Sequence, residues 1–425
     1  MPVAPKPAAP VRRDASARQR APARHWPLHL SDLRGLARLG FDATLGVTDL
    51  VEQMHHTIVT RAAPLGPAQA GRTRGLTGLV YRSVRGVTGF WGGAADAALG
   101  ALAALAPPAA VSPRREALLA ALQGVWGDHL EASGNPLAPP MALRVGGRAL
   151  DLSAAGLRGA LPATGGRVAV LIHGLCMNDL QWARQGHHHG EMLAREAGYT
   201  VLALRYNSGL HISTNGRRLS ALLDALLAHW PVPVRELALV GHSMGGMVAR
   251  SACHVGARAP WRRHLTRLVC LGTPHHGARL ERGGHLIDMA LQVSPYAAPF
   301  ARLGHARSAG ITDLRWGNLQ DADWQGPQGR DRRHDQRHDD RRPTPLPQGV
   351  AVYCLAATTA AEPRGVRHAL LGDGLVTLAS AWGEHRDPAL ALKLPASHKA
   401  LVTQASHWDL LSHPEAAAAL RRWLA

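Results

Sequence analysis

A serine lies between two glycines in the pentapeptide Gly241-His242-Ser243-Met244-Gly245. The apolar run before it, residues 236–240, predicts a buried strand, and the apolar spacing of residues 247–252 predicts a helix after it. Glycines at these positions permit the sharp strand-to-helix turn that raises a serine hydroxyl above a sheet, beside a helix N-terminus that favours negative charge. The pattern predicts that Ser243 is a nucleophile.

A serine hydroxyl needs a base to remove its proton, and the base needs an acid to hold it in one tautomer. After a turn of this type the acid and the histidine follow the serine in that order. We expect the acid to be Asp373, which lies in a tight turn between two glycines. Its rivals are Asp387, Glu384 and Asp409.

The expected base is His407, which follows the last apolar run and precedes a terminal helix. The chain has 25 histidines, so position along the chain decides the choice of base, and His398 is the runner-up.

Acyl transfer also requires two backbone donors for the oxyanion. One is the N–H of Met244, and the other comes from Leu175 or Cys176, whose backbone can approach the reacting carbonyl because Gly174 precedes them.

Other histidine clusters could suggest a metal. His187, His188 and His189 are consecutive and therefore point to different faces, which disfavours a shared metal ion. His275-His276 is expected to shape a pocket wall or to begin a lid. The segment Arg205 to Gly209 either lines an acyl pocket or forms a structural turn. We expect no metal and no cofactor.

These residues need a scaffold that gathers them, and the chain from about 140 onward predicts one. Short apolar runs of the buried parallel type alternate with helical patterns. Strands alternating with helices predict an α/β fold with a doubly wound, mostly parallel sheet. The predicted strands are 141–145 and 149–152, which form a hairpin, followed by 167–172, 200–206, 236–240, 265–271 and 350–356.

Composition divides the chain further. Residues 1–28 are rich in proline, alanine and arginine and are predicted to be a disordered tail. Residues 29–135 are a helical accessory region, and residues 136–425 are the α/β domain. Within that domain, residues 278–346 are a lid-like insertion that ends in a disordered charged loop, residues 326–346.

The formal net charge of +18 would attract anionic partners, but no nucleic-acid-binding module is recognisable, so we expect no nucleic-acid partner. Residues 88–111 are long enough to cross a bilayer, but Asp96 and the many glycine, alanine and proline residues keep their hydropathy marginal, which favours a packed or interfacial helix over a span. A peripheral membrane contact is left open.

The four cysteines are expected to be core residues. No signal peptide is evident, so the expected location is cytoplasmic, with membrane association left open.

The motifs HG after a strand, GHSMGG, GTPHHG, GDGLV and SHWDLL together resemble the bacterial lipase and esterase branch of the α/β-hydrolase superfamily. That branch includes triacylglycerol lipases and GPI inositol-deacylase-like proteins, and the resemblance covers about 167–411. It implies a serine hydrolase that cleaves small-molecule or lipid carboxylic esters, with Ser243, Asp373 and His407 as triad and Leu175 and Met244 as oxyanion hole. An acyltransferase or thioesterase would use the same triad, and a non-catalytic membrane-associated binding protein is the third alternative. The oligomeric state stays open.

Overall fold

The computed structural model describes residues 29–60, 72–105, 112–161, 163–278, 308–326, 331, 339, 341–361 and 372–425. The segment interpreted as a disordered tail, 1–28, lies outside these residues, as does most of the lid-like insertion.

The described strands are short and consist mainly of valine, leucine and alanine. They are β1 (Ala142–Val145), β2 (Arg148–Ala149), β3 (Arg167–Ile172), β4 (Ala183–Arg184), β5 (His187–His188), β6 (Thr200–Arg205), β7 (Glu236–His242), β8 (Leu265–Leu271), β9 (Ala351–Ala357) and β10 (Lys399–Val402).

The described α-helices are α1 (Leu30–Thr60), α2 (Gly75–Leu105), α3 (Pro113–Ala132), α4 (Ala154–Ala160), α5 (His189–Ala197), α6 (Ile212–Ala228), α7 (Met244–Val255), α8 (Ala309–Trp316), α9 (Asp321–Trp324), α10 (Leu378–Ala381) and α11 (Pro414–Leu424). Short 3₁₀ segments lie at Asp179–Trp182, Pro260–His264, Ala396–His398 and Asp409–Leu411.

Eight of the described strands form one sheet in the order β10-β9-β8-β7-β3-β6-β1-β2. Strands β3 and β6 to β10 pair in parallel, whereas β1 is antiparallel to β6 and to β2. The predicted fold class is confirmed: the sheet is mostly parallel, flanked by helices and preceded by a helical extension. Strand β10 is a four-residue edge strand that was not among the predicted spans, because so short an apolar run is a weak signal.

The chain order reverses between β3 and β7, which are neighbours in the sheet. From β3 the chain moves to β6 on one side, and from β7 it moves to β8 on the other. Because parallel crossovers are right-handed, this reversal puts α5 on the opposite face from α6 and α7. Ligands of open α/β sheets bind where such a reversal opens a crevice at the carboxyl ends of the strands.

The central strands are fully buried because helices cover both faces of the sheet. Val168, Val170 and Ile172 of β3 have no exposed surface, and α7 is buried along nearly its whole length. Helix α7 packs closely against its neighbours because small residues lie at the points of contact. A side chain at Gly246 would overlap Thr273, and a side chain at Gly216 of α6 would overlap Ser251 of α7.

Helices α1 and α2 form an antiparallel pair, which we call the helical hairpin (Leu30–Thr60 and Gly75–Leu105). Its contacts run in opposite directions along the two helices, from Arg34 with Asp96 to Glu52 with Arg85. Helix α3 joins the hairpin to the α/β domain, since Arg115 forms an ion pair with Asp32. None of the helices in the described part of the chain combines the length and hydropathy that a membrane span requires.

The segment 326–346, predicted as a disordered charged loop, contains packed residues. Arg341 is 9% exposed, and its guanidinium donates to the carbonyl oxygens of His275 at 3.1 Å and Gly317 at 3.2 Å. Asp339 also pairs with Arg341. A buried arginine that is both hydrogen-bonded and ion-paired is a stable arrangement that composition alone does not indicate.

Candidate active site

Ser243 lies between the end of β7 and the start of α7, at the predicted strand-to-helix turn. Its backbone has φ 55° and ψ −125°, a conformation that is strained for a residue with a side chain. The neighbouring glycines make the turn possible, since a Cβ at Gly241 would overlap Gly246 and a Cβ at Gly245 would overlap the carbonyl of Ile172. Ser243 N–H donates to Leu271 O at 2.8 Å, which fixes the turn to β8.

His407 and Asp373 form a direct pair. His407 Nδ1 lies 2.7 Å from Asp373 Oδ2, and both residues are almost completely buried. The other oxygen, Oδ1, accepts the N–H groups of Leu375 at 3.0 Å and Val376 at 2.8 Å, and His407 N–H donates to Asp373 O at 3.1 Å. Both carboxylate oxygens therefore act as acceptors, which puts the proton of a neutral His407 on Nδ1 and leaves Nε2 with a free lone pair.

Two contacts bring His407 to the serine turn. His242, the residue before Ser243, donates from Nε2 to His407 O at 3.1 Å, and the two rings lie 4.8 Å apart. Gly272, which follows the residue that binds Ser243 N–H, has φ 57°, and a Cβ there would lie 3.1 Å from His407 Nδ1. Ser243, Asp373 and His407 thus lie on adjacent loops at the carboxyl edge of the sheet.

The rivals of these residues are engaged elsewhere. Asp409 accepts from the backbone and hydroxyl of Ser406, and Glu384 pairs with Lys399. Asp387 caps its own turn by accepting from the N–H of Ala389, and His398 Nδ1 lies 2.9 Å from Val352 O.

The loop after β3 approaches Ser243 closely. A Cβ at Gly174 would lie 3.0 Å from Ser243 Cβ. Cys176 has φ 58°, and its N–H donates to the Ser208 hydroxyl at 3.1 Å. Of the two alternatives for the oxyanion donor, Cys176 is therefore occupied, which favours Leu175. The N–H of Met244 is the other candidate, because the first N–H groups of a helix such as α7 have no intrahelical acceptor.

The segment 205–209 supports this loop. Tyr206 OH donates to His173 O at 2.8 Å, and the Tyr206 and His173 rings stack at 4.3 Å. Ser208 binds Cys176, as described above. Of the two roles predicted for this segment, a pocket lining or a structural turn, these contacts favour the structural one, because they hold the loop after β3 in place.

Helix α3 contributes to the site from the accessory region, which sequence analysis missed. A side chain at Gly124 would overlap Cys176 Sγ, and one at Gly127 would overlap Asn207. Asn207 Nδ2 also donates to Gly127 O at 2.8 Å. The signal in the sequence was a pair of glycines three residues apart on one helix face, which permits close approach.

Two buried histidines beside the site, His173 and His242, are neutral. Burial lowers the pKa of His173 to about 3, and burial together with the nearby His407 lowers the pKa of His242 well below its usual value. A neutral His242 lets His407 accept a proton without a second cation beside it. Nothing in the sequence distinguished His242 from any other residue at the variable position of the motif.

Among the described residues, one group of three ligand-type side chains lies close together, namely Cys270, His275 and Cys354, whose ligand atoms are within 4.8 Å of one another. Arg250, which can only donate, lies 3.2 Å from His275 Nδ1. His275 therefore carries its proton on Nε2, which faces Cys354 Sγ at 3.3 Å. A metal-bound imidazole needs an acceptor beside its other nitrogen, so this group does not suit a cation. His187 and His189 contact each other at 2.8 Å, and His189 also contacts Leu410 O.

A doubly wound sheet with a serine at the strand-to-helix turn of its switch point defines the α/β-hydrolase fold. Residues 163–325 match a family model described as "PGAP1-like alpha/beta domain". The predicted superfamily, the α/β-hydrolases, is thereby confirmed, and the chain is similar to the PGAP1-like domain over these residues.

The solved structures that resemble the chain include lipases and esterases. Bacillus licheniformis lipase BlEst2 in mature form is 19% identical with a TM-score of 0.40, and the match covers 67% of this chain and 99% of that one. Legionella pneumophila phospholipase PlaB is 13% identical (TM-score 0.38; 61% and 60% covered), and Pyrococcus furiosus esterase Pf2001 is 16% identical (TM-score 0.34; 61% and 85% covered). No curated protein matches the chain.

Proposed function

We propose that the chain is a serine hydrolase that cleaves carboxylic esters, of small molecules or of lipids, through an acyl-enzyme on Ser243. The observation that carries this proposal is the 2.7 Å contact between His407 Nδ1 and Asp373, beside a serine held at positive φ. A histidine whose Nδ1 is bound to a buried carboxylate presents a basic Nε2, which is what a serine nucleophile requires.

In the proposed reaction His407 Nε2 removes the Ser243 proton as the hydroxyl oxygen attacks the ester carbonyl. The negative charge that develops on the carbonyl oxygen is stabilised by the N–H groups of Leu175 and Met244. Asp373 stabilises the imidazolium, which then protonates the leaving alcohol. Water, activated by His407, attacks the acyl-enzyme and restores Ser243.

The test is hydrolysis of nitrophenyl esters of increasing acyl length, together with labelling by a fluorophosphonate probe. We expect Ser243→Ala to lower kcat by at least about a thousandfold and to abolish labelling. Ser83→Ala, which changes an exposed serine on α2, is the matched control and should behave as wild type. Full activity in Ser243→Ala, or no labelling of the wild-type protein, would refute the proposal.

The same assay separates hydrolysis from acyl transfer. If an added alcohol or amine captures most of the acyl group in water, the chain is an acyltransferase with the same triad. If thioesters turn over much faster than oxygen esters, it is a thioesterase. A preference for water and for oxygen esters supports the esterase assignment.

A further inference from the structure

Exposed apolar side chains are concentrated on the helical hairpin. Of the large hydrophobic side chains that are exposed in the described residues, all but Val255 lie on α1 or α2. Helix α2 carries most of them, and they are Leu76, Leu79, Val80, Val84, Val87, Phe90, Trp91, Leu102 and Leu105. From Leu76 to Trp91 they recur at three- and four-residue spacing and form one stripe about 20 Å long, and the same helical period places Leu102 and Leu105 on this side of α2 near its C-terminal end.

The degree of exposure is high. Leu76 is 83% exposed, Phe90 69%, Trp91 61% and Leu105 84%. Helix α1 also carries an exposed apolar side chain, Val47, which is 61% exposed. A soluble surface rarely leaves so many large apolar side chains in contact with water over one contiguous area, and such a patch marks a binding surface.

The acidic residues of the hairpin are paired with basic side chains, whereas several arginines beside the apolar stripe are exposed. All five acidic residues of α1 and α2 bond to a basic side chain: Asp32 to Arg115, Asp42 to His129, Asp49 and Glu52 to Arg85, and Asp96 to Arg34 and Arg38. The bonds from Arg34 and Arg38 hold the pKa of Asp96 well below its usual range. By contrast, Arg72, Arg74 and Arg82 are exposed beside the apolar stripe. The surface next to the stripe is therefore cationic.

We propose that this surface of the helical hairpin docks on an anionic lipid bilayer, with α2 lying in the plane of the interface. Exposed arginines next to an apolar stripe that carries Trp91 and Phe90 are the composition of an interfacial helix. The exposed arginines are attracted to anionic head groups, and the chain as a whole carries a formal charge of +18. A second copy of the chain would bring the same positive charge and therefore fits this surface less well.

The docking surface is independent of the proposed catalytic chemistry, because no residue of the stripe belongs to the candidate active site. Its position nevertheless bears on the proposed function. Arg115 of α3 pairs with Asp32 of α1, and α3 contacts the loop that carries Leu175. If the esterase proposal holds, docking would keep the candidate site beside a source of lipid esters.

The test is co-sedimentation of the full chain with phosphatidylcholine vesicles, prepared with and without phosphatidylglycerol. We expect binding to the vesicles that contain phosphatidylglycerol and much weaker binding to pure phosphatidylcholine. The variant Phe90→Ser/Trp91→Ser should bind roughly tenfold or more weakly, because two large apolar groups are lost. Val255→Ser, which removes an exposed apolar side chain outside the hairpin, is the matched control and should bind as wild type.

The charge contribution is tested separately. Replacing Arg72, Arg74 and Arg82 by glutamine should weaken binding to anionic vesicles on the order of a hundredfold. The control replaces three exposed arginines of the α/β domain, Arg148, Arg158 and Arg386, and should have a much smaller effect. Thermal melts of every variant establish that the fold is retained.

Three outcomes would overturn the proposal. One is that the wild-type chain does not sediment with either vesicle type. Another is that the hairpin variants and their controls bind alike. The third is that Phe90→Ser/Trp91→Ser converts a dimer into a monomer in analytical ultracentrifugation without changing vesicle binding, which would assign the surface to a second copy. Ser243→Ala should bind vesicles as wild type does, so a failure of the esterase proposal is distinguishable from a failure of docking.

Discussion

Replacing Asp373 by asparagine exchanges one carboxylate oxygen for an NH₂ group and should nearly abolish turnover. Oδ1 of Asp373 accepts two backbone N–H groups, from Leu375 and Val376. An asparagine keeps these bonds only with its carbonyl oxygen in that position, which turns its NH₂ group toward His407 Nδ1. A donor facing Nδ1 forces the proton of His407 onto Nε2, and Nε2 then has no lone pair to accept the Ser243 proton.

The size of the effect follows from the alternative orientation. If the amide turned over, its NH₂ group would face the two backbone donors and leave both unpaired, at a cost of about 1–3 kcal/mol each. The total cost of turning the amide over, about 2–6 kcal/mol, keeps the fraction of His407 in the active tautomer below about 3%. The loss of the carboxylate charge that stabilises the imidazolium adds to this, so we expect kcat to fall by about 10⁴.

The assay is kcat and KM on a short nitrophenyl ester for wild type, Asp373→Asn and Asp409→Asn. Asp409 lies two residues from His407 and accepts from Ser406, so it serves as the matched control. We expect it to reduce kcat by less than tenfold, with its effect confined to the local turn. Asp373→Asn with more than a tenth of wild-type kcat, or Asp409→Asn as the more damaged variant, would refute the assignment of the acid.

Three further predictions concern the turn, the oxyanion loop and the insertion. Gly245→Ala should lower the free energy of unfolding by about 3 kcal/mol or more in denaturant titrations, because its methyl would overlap a carbonyl of β3, whereas Gly93→Ala, on open surface, should be neutral or stabilising. Ser208→Ala should lower kcat/KM and cost about 1–3 kcal/mol of stability, because it leaves the buried N–H of Cys176 without its acceptor. Burial lowers the pKa of His211, but hydrogen bonds and charge interactions with two aspartates outweigh burial, so the net pKa is raised. The contribution of protonated His211 to the free energy of unfolding is therefore fully present below about pH 6.5 and is lost as the pH rises through the raised pKa. The free energy of unfolding of wild type relative to His211→Gln should therefore decrease as the pH rises above about 6.5.

The sheet was predictable because its central strands are continuous apolar runs between helical patterns. The predicted span 265–271 coincides with β8, and 167–172 with β3. The roles of Ser243, Asp373 and His407 stay predictions, but the structure adds what the order of residues could not provide. It shows that Asp373, and not Asp409, contacts His407 Nδ1, a pairing that depends on two loops 34 residues apart.

Other features depended on contacts that no local pattern indicates. Sequence left Leu175 and Cys176 open as the oxyanion donor, and the hydroxyl of Ser208 distinguishes them by binding Cys176 N–H. Arg341 lies in a segment whose composition predicted a solvated loop, yet it is buried against two carbonyl groups. In both cases the partner is distant in the chain, and only the folded arrangement identifies it.

The boundary at residue 135, drawn from a change in sequence pattern, does not coincide with a boundary in packing. Helix α3 lies before it, yet Glu116 of α3 forms a buried ion pair with Arg205 at the end of β6. Removing one partner of a buried pair leaves an uncompensated charge and costs about 3–5 kcal/mol. The same helix packs Gly124 against Cys176. The packing therefore favours a division in which α3 belongs with the α/β domain, as part of the wall behind the oxyanion loop, and in which the helical hairpin is the unit that is attached through it.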